Sequence, residues 1–396
     1  MSAAPTQTTF STTARKGYES LDQEVDLDRL PVHGQLPSWL QGSLIRTGPA
    51  KWEVGERTMN HWFDGYAMLH RFGFADGHVS YANRFLETRA WREARDHGRI
   101  GYSEFATDPC RSLFERVTAM FSPQLSDNAN VSLTKLGERF IAMTETPIPV
   151  QFDPETLAAA GVPYRAPGQL STAHPHLDRA TGGALNYAAK LGPRSSYRFF
   201  LMRPGSAEPD VIAKHAVSEP AYMHSFGMTE RWLVLAEFPF VVNPLRLASS
   251  GRPYIENFRW KPELGTRFHL FDRQTGEHAG PFEAEPRFAF HHVNAYDEGE
   301  DVVVDICTLP DAGIVEDLYL RRLRAGKPVT QAHLERFRIS PGERRVRSQR
   351  LLDEPMELPR TNYSRCNGRP YRYVWGVGIQ SGWFDRIVKG DLDQRQ

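Results

Sequence analysis

The sequence predicts an all-β protein, either a propeller or a large sandwich, and three observations support this. Its 31 glycines and 28 prolines separate short segments rich in Phe, Tyr, Val, Ile and Thr, which is the composition of strands. Tight-turn signals are frequent, as at Asp76-Gly77, where the pair favours a positive φ. Many short strands over 396 residues also need protected edges, and either architecture protects them.

A second turn signal recurs along the chain and predicts hairpin tips. Each copy follows an apolar stretch and combines an Asp with a nearby Thr: residues 152–156 (FDPET), 177–182 (LDRATG) and 271–276 (FDRQTG). The copies keep no fixed period, so the sequence indicates no strict repeat family.

Two segments read as helices. In residues 108–121, apolar side chains recur at helical spacing after an Asp-Pro start signal. This helix either packs on the core or dips into a membrane surface, with Cys110 as an acylation site. The membrane-contact residues would be Cys110, Leu113, Phe114, Val117 and Phe121. The second segment, residues 314–324, mixes leucines with arginines and predicts a solvated connecting helix.

Charge and cysteine content exclude several classes of function. With 48 basic and 48 acidic side chains the net charge is near zero, which argues against a nucleic-acid partner. The three cysteines form no C-x-x-C pair, so neither a disulfide framework nor a cysteine metal site is indicated. We expect a flexible polar arm over residues 1–25, one domain over residues 26–396 and a cytoplasmic location.

Three of the histidine segments share one context, in which an apolar β-rich segment meets a turn. They are centred on His174, His224 and His291, at separations of 50 and 67 residues. Such separations exclude a single-helix metal motif and suit ligands that different strands or blades deliver to a common axis. Imidazoles without thiolates suit iron, copper, nickel or zinc. The other histidines in turn-rich or charged surroundings are predicted to be structural or solvent-facing: His33, His78, His97, His215, His269, His278 and His333.

Two glutamates lie against apolar neighbours and prolines, where an acid needs a partner. Glu145 and Glu357 could each accept the distal N–H of a ligand histidine and fix its tautomer. The alternative is an acid that makes a turn or a salt bridge at a strand end.

Several phrases, in the right order, resemble the carotenoid cleavage oxygenase family. They are residues 46–49 (RTGP), 61–70 (HWFDGYAMLH), 144–146 (TET), 172–176 (TAHPH), 223–226 (MHSF), 290–296 (FHHVNAY), 358–363 (LPRTNY) and 382–389 (GWFDRIVK). The resemblance runs from about residue 30 to the end of the sequence and favours the retinoid and carotenoid branch that includes animal enzymes.

The resemblance implies a seven-bladed β-propeller with a cap of helices and loops, a hydrophobic tunnel and Fe²⁺ on the axis. The first three iron ligands of the family fall on His174, His224 and His291, and His176 and His292 are their non-ligand neighbours. Glu145 and Glu357 match two of the family's acids outside the ligand set. In the family, the phrase that contains His61 is a structural segment close to the pocket, so the resemblance does not make His61 a ligand.

The resemblance breaks off at the C-terminus. In the family, further strands follow, with a third acid in a Glu-Asp-Asp-Gly phrase and a fourth ligand histidine. This sequence has no such phrase, and its last histidine, His333, lies in a charged segment before Glu357. We therefore expect the closing strands and the fourth ligand to be missing from the C-terminal part.

The function that the resemblance implies is iron-dependent dioxygenation of a conjugated C=C bond in a carotenoid or apocarotenoid. O₂ is the co-substrate, and the products are aldehydes or ketones. Alternatives are a retinoid isomerohydrolase or a stilbene-cleaving enzyme on the same fold, and an inactive truncated propeller that binds an apocarotenoid or a partner protein. The remaining alternative is an unrelated propeller hydrolase or zinc enzyme.

Overall fold

The computed structural model describes residues 16–109, 125–379 and 384–394, and its principal elements are six antiparallel sheets that form the blades of a β-propeller. The all-β prediction is confirmed, but the expected number of seven blades is wrong. The sixth sheet has three strands and reaches Asp391, and the described part of the chain supplies no strands for a seventh. The cap of helices and loops and the missing closing strands stay predictions.

Blades 1 and 2 come from the N-terminal part of the chain. Blade 1 has the order β1-β6-β5-β2 and blade 2 the order β10-β9-β8-β7, while β3 and β4 form a separate hairpin. The strands are β1 Asp26–Leu27, β2 Gly42–Lys51, β3 Glu53–Val54, β4 Arg57–Thr58, β5 Tyr66–Ala75, β6 His78–Phe85, β7 Ser132–Leu136, β8 Arg139–Met143, β9 Val150–Phe152 and β10 Ala159–Gly161.

Blades 3 and 4 follow in the middle of the chain. Blade 3 has the order β11-β13-β14-β15, with β12 also paired to β13, and blade 4 has the order β16-β17-β20-β21; β18 and β19 pair separately. The strands are β11 Leu170–Ser171, β12 His176–Asp178, β13 Gly183–Lys190, β14 Ser195–Met202, β15 Asp210–Val217, β16 Gly227–Met228, β17 Trp232–Glu237, β18 Phe240–Val241, β19 Arg259–Trp260, β20 Thr266–Asp272 and β21 His278–Ala284.

Blades 5 and 6 complete the described strands. Blade 5 has the order β22-β23-β24-β25 and blade 6 the order β26-β27-β28. The strands are β22 Phe288–Glu298, β23 Asp301–Leu309, β24 His333–Ser340, β25 Arg345–Arg350, β26 Glu357–Arg360, β27 Tyr373–Gly378 and β28 Arg386–Asp391.

The predicted hairpin tips are confirmed. Asp76 (φ 50°) and Gly77 (φ 74°) join β5 to β6, as the Asp-Gly pair requires. At the three recurrent turns, Asp153, Asp178 and Asp272 accept backbone N–H groups within the loops that follow β9, β12 and β20. These aspartates therefore close the turns through their own side chains.

Short helices lie in the loops between strands. The α-helices are α1 Arg89–His97, α2 Pro244–Ser249, α3 Gly313–Asp317, α4 Leu320–Arg324 and α5 Tyr363–Cys366, and the 3₁₀ helices are Lys16–Tyr18, Trp62–Asp64, Tyr254–Asn257 and Pro262–Leu264. The sequence reading missed α1, which begins after an N-capping Thr88 and ends at Gly98 in the left-handed conformation. Residues 16–25 lie against the propeller, since Tyr18 is fully buried and its carbonyl accepts from Arg324.

The predicted solvated helix over residues 314–324 is wrong. Two short helices, α3 and α4, occupy this segment, and they bury Ile314, Leu318 and Leu323 against the core. The break falls where the backbone pairs with the segment before the Trp62–Asp64 helix: Leu318 O accepts from Trp62 N (3.0 Å), and Leu320 N donates to Asn60 O (2.8 Å). Tertiary pairing thus overrides the helical pattern.

Candidate metal centre

Three histidines from three different blades meet at one point. His174 lies between β11 and β12, His224 lies just before β16, and His291 lies on β22. One ring nitrogen of each lies within 4.8 Å of one ring nitrogen of the other two. The Nε2 atoms of His174 and His224 are 3.0 Å apart, and the ring of His291 stands at 86° and 90° to the other two rings. The structure therefore brings the three predicted ligand histidines together.

Both predicted acids contact these histidines. Glu145 Oε1 lies 2.7 Å from His224 Nδ1, and Glu357 Oε2 lies 2.6 Å from His291 Nδ1. Each Nδ1–H donates to a carboxylate, so the Nε2 lone pair of each ring is left for a metal ion. The Tyr222 hydroxyl also donates to Glu145 Oε1 (2.7 Å), a contact that the sequence reading missed.

A β-bulge decides which histidine of the pair at 291 and 292 faces the centre. The pairing of β22 with β23 shifts register on both sides of His292. Ser225 Oγ holds this residue by accepting from its backbone N–H (2.9 Å) and contacting its ring Nδ1 (2.8 Å). Ser225 also donates to Phe290 O (2.7 Å), so the ring of His292 is fixed away from Glu357 while His291 contacts it.

Hydrogen bonds also decide which histidine of the pair His174 and His176 faces the centre. His176 Nε2 lies 2.9 Å from Phe226 O, and its Nδ1 lies 3.3 Å from Asn367 Oδ1. Both ring nitrogens of His176 therefore have protein partners. His174, two residues earlier, has its Nε2 directed at His224 instead.

His61 is fully buried, and hydrogen bonds occupy both of its ring nitrogens, so it is not a metal ligand. Its Nδ1 accepts from Phe63 N (3.1 Å), and its Nε2–H donates to Val315 O (3.0 Å). Its backbone N–H donates to Asp64, which completes a capping box around the short helix. Burial lowers the pKa of His61 to about 3.

Burial and the neighbouring imidazoles favour the neutral form of His174 and His291. Burial, followed by the nearby His224 and His291, holds the pKa of His174 well below its usual range. Burial also lowers the pKa of His291, although Glu357 opposes this shift. Neutral imidazole is the form that binds a metal.

Aromatic side chains form one wall of the centre. The ring of Phe63 stacks near His224 at 6.2 Å, and Phe290 meets the same imidazole edge-on at 5.3 Å. Phe63 also contacts Phe105 and Phe290. This apolar wall lowers the local dielectric and suits an apolar substrate.

Three nitrogen ligands of this kind, two of them oriented by carboxylates, fit a first-row divalent metal, including Fe²⁺. His333 is not part of the cluster. Cys110, Leu113, Phe114, Val117 and Phe121, the predicted membrane contacts, lie outside the described residues. Among the described residues, no helix combines the length and apolar character that crossing a bilayer requires.

Comparisons with known proteins agree with this geometry. The family model described as retinal pigment epithelial membrane protein matches residues 18–396. A carotenoid isomerooxygenase of Galleria mellonella is 33% identical over 377 residues, which cover 87% of this chain and 73% of the relative. A β,β-carotene 15,15′-dioxygenase of Rattus norvegicus is 31% identical over 429 residues, with 92% and 75% covered.

Solved structures match over almost the whole chain. A cobalt-substituted Synechocystis ACO superposes with a TM-score of 0.82 at 26% identity and covers 98% of this chain and 84% of its own. An ACO/RPE65 chimera gives a TM-score of 0.84 at 26% identity, with 98% and 83% covered.

The fold and site define a β-propeller with a histidine centre supported by carboxylates. The chain belongs to the retinal pigment epithelial membrane protein family. The relatives that it matches include carotenoid dioxygenases. The resemblance to carotenoid cleavage oxygenases noted in the sequence is thereby confirmed.

Proposed function

We propose that this chain is a non-haem iron(II) dioxygenase that cleaves a conjugated C=C bond of a carotenoid or apocarotenoid. The observation that carries the proposal is the convergence of His174, His224 and His291, with Glu145 and Glu357 on two of their Nδ1 atoms. The names of the most similar relatives supply the substrate class. One O₂ is consumed for each C=C bond broken, and each carbon of that bond receives one oxygen atom as a carbonyl.

The three histidines would hold Fe²⁺, which supplies the capacity to activate O₂ when it is bound. The protein's own part is to keep these ligands oriented. Glu145 and Glu357 retain the Nδ1 protons of His224 and His291, and the Tyr222 hydroxyl holds Glu145 in place.

The aromatic wall performs the remaining tasks. Phe63 and Phe290 exclude water from one side of the histidines and offer an apolar face to a polyene. Alignment of one double bond against the centre selects the bond that is cut. We expect specificity to lie in the shape of this wall, since no ionised side chain is needed to recognise a hydrocarbon.

Oxygen labelling tests the proposal. The full chain is reconstituted with Fe²⁺ without oxygen, mixed with a carotenoid or apocarotenoid under ¹⁸O₂, and the carbonyl products are reduced at once with borohydride to prevent exchange with water. We expect ¹⁸O in both products. An isomerohydrolase would leave the polyene uncleaved and would instead place ¹⁸O from H₂¹⁸O in the alcohol released from a retinoid ester. Stable binding of the polyene with neither reaction would indicate an inactive binding protein.

A second candidate is an inactive propeller that binds an apocarotenoid against the aromatic side chains beside His224, Phe63 and Phe290. The labelling experiment separates the two candidates, because the binder shifts the polyene absorption without consuming O₂.

A further inference from the structure

A second group of three histidines lies where the outer strand of blade 3 meets the two outermost strands of blade 4. His215 lies on β15, the outer strand of blade 3, and His269 and His278 lie on β20 and β21 of blade 4. One ring nitrogen of each lies within 4.8 Å of the others. We call these three residues the inter-blade cluster. None of them belongs to the axial centre, whose histidines lie on or beside the inner strands β11, β16 and β22.

The ring nitrogens of the inter-blade cluster converge closely. His269 Nδ1 lies 2.9 Å from His278 Nε2. The ring centroid of His215 lies 4.9 Å from that of His269 and 4.5 Å from that of His278. His269 lies at a register shift between β20 and β21, and bulges of this kind re-aim a side chain.

A buried carboxylate supports this cluster in the way that Glu145 supports the axial centre. Glu237 Oε2 lies 3.3 Å from His269 Nε2, and Glu237 Oε1 accepts from the Tyr197 hydroxyl (2.6 Å). A hydrogen-bonded chain from a tyrosine through a glutamate to a histidine thus occurs twice, as Tyr222–Glu145–His224 and as Tyr197–Glu237–His269. In each copy the carboxylate takes the N–H of one ring nitrogen and leaves the lone pair of the other for a metal.

The surroundings favour the neutral form of two of these imidazoles, His215 and His278. The face of the His278 ring that packs against its neighbours is desolvated although its other side is exposed, and this, followed by the nearby His215 and His269, lowers its pKa to about 4. Burial also lowers the pKa of His215. Arg267 pairs with the same carboxylate oxygen that contacts His269, Glu237 Oε2 (2.7 Å), so the charge of this acid has a cationic partner.

We propose that the inter-blade cluster is a second metal site, which binds Zn²⁺ through His215, His269 and His278 and fastens blade 3 to blade 4. Three imidazoles with a water in the fourth position are a ligand set that Zn²⁺ takes. His278 is exposed, so solvent can supply that water. Tetrahedral Zn²⁺ with bonds of about 2.0–2.1 Å separates two nitrogens by about 3.3 Å, so the exposed ring of His278 moves outward by roughly 0.4 Å on binding.

Zinc titration of the full chain tests this site, with His278→Ala as the test variant because its side chain contributes least to packing. Metal-free protein is equilibrated with Zn²⁺ alone, and zinc per chain is measured by elemental analysis. We expect His278→Ala to bind one Zn²⁺ per chain fewer than the wild type. The matched control is His97→Ala, an exposed histidine on α1, which should bind as the wild type does. Equal stoichiometry in His278→Ala and wild type would overturn the proposal.

Two further variants separate this site from the axial centre and from a plain hydrogen-bonded cluster. His174→Ala should lose axial metal but keep the zinc that His278→Ala loses, so failure of the iron proposal leaves this result readable. Glu237→Gln should keep full stoichiometry at saturating zinc with about 10- to 100-fold weaker affinity. In the His174→Ala background, which removes the axial contribution, zinc should also raise the Tm, and adding His278→Ala should abolish that rise. A zinc-independent Tm in His174→Ala would contradict the role in fastening the blades.

Discussion

At the scale of single residues, hydrogen bonds to the ring nitrogens decide which histidines are available to the metal centre. Ser225 fixes His292, and Phe226 and Asn367 occupy both nitrogens of His176. His174, His224 and His291 keep their inward nitrogens available. The sequence could name these pairs, but only the family resemblance could choose within them, because the choice depends on a bulge and on hydrogen bonds between residues 67 or 191 positions apart.

The carboxylates should control metal affinity. Glu357→Gln keeps the side-chain shape but presents a neutral amide to His291 Nδ1, so the ligand becomes less basic. We expect Fe²⁺ binding to weaken about 10- to 100-fold in anaerobic titrations. Glu138→Gln, at an exposed turn, is the control and should bind as the wild type does. Equal affinity in both variants would show that Glu357 has no such role.

His61 should make the fold sensitive to acid. Its folded pKa of about 3 lies below the unfolded value of about 6.5, so the unfolded chain binds the extra proton between these values. The free energy of unfolding therefore rises with pH through this range, and the stability is lost as pH falls below about 6.5. His61 alone contributes a slope of up to about 1.4 kcal/mol per pH unit.

The variant His61→Asn isolates this contribution. Its free energy of unfolding, measured in urea from pH 7 to pH 4, should depend on pH with a slope lower by about 1.4 kcal/mol per unit. The exposed His97→Asn serves as control and should follow the wild type. Parallel profiles for wild type and His61→Asn would contradict the assignment.

At the scale of elements, local patterns predicted turns well and helices poorly. The Asp-Gly and Asp-Thr turns are confirmed because the side chain of the same loop closes each turn. The helix over residues 314–324 is split because Leu318 and Leu320 pair with the backbone around His61, a partner more than 250 residues away. A reading of local periodicity has no access to that pairing.

This packing gives a test on α4. Leu323 is fully buried, so Leu323→Ala should reduce the free energy of unfolding by about 2–5 kcal/mol. Arg321→Ala on the exposed side of α4 should change it by less than about 1 kcal/mol. Denaturation curves compare the two variants, and a small effect of Leu323→Ala would restore the interpretation of a solvated helix.

At the scale of the whole molecule, the class of fold was predictable and the number of blades was not. Strand-rich segments and turn signals indicate an all-β architecture, but the count of seven came from the resemblance, and the described residues form six blades. The inter-blade cluster also escaped the sequence reading. His215 lies 54 residues before His269, and nothing local to either position marks them as neighbours.

Iron content of the wild-type chain, compared with two adjacent-residue variants, tests the central claim most directly. Each protein is reconstituted with Fe²⁺ without oxygen, loosely bound metal is removed, and circular dichroism checks the fold. The wild type and His292→Ala should carry close to one axial iron per chain, and His291→Ala should carry almost none. Iron absent from the folded wild type, or retained equally in His291→Ala, would contradict the account.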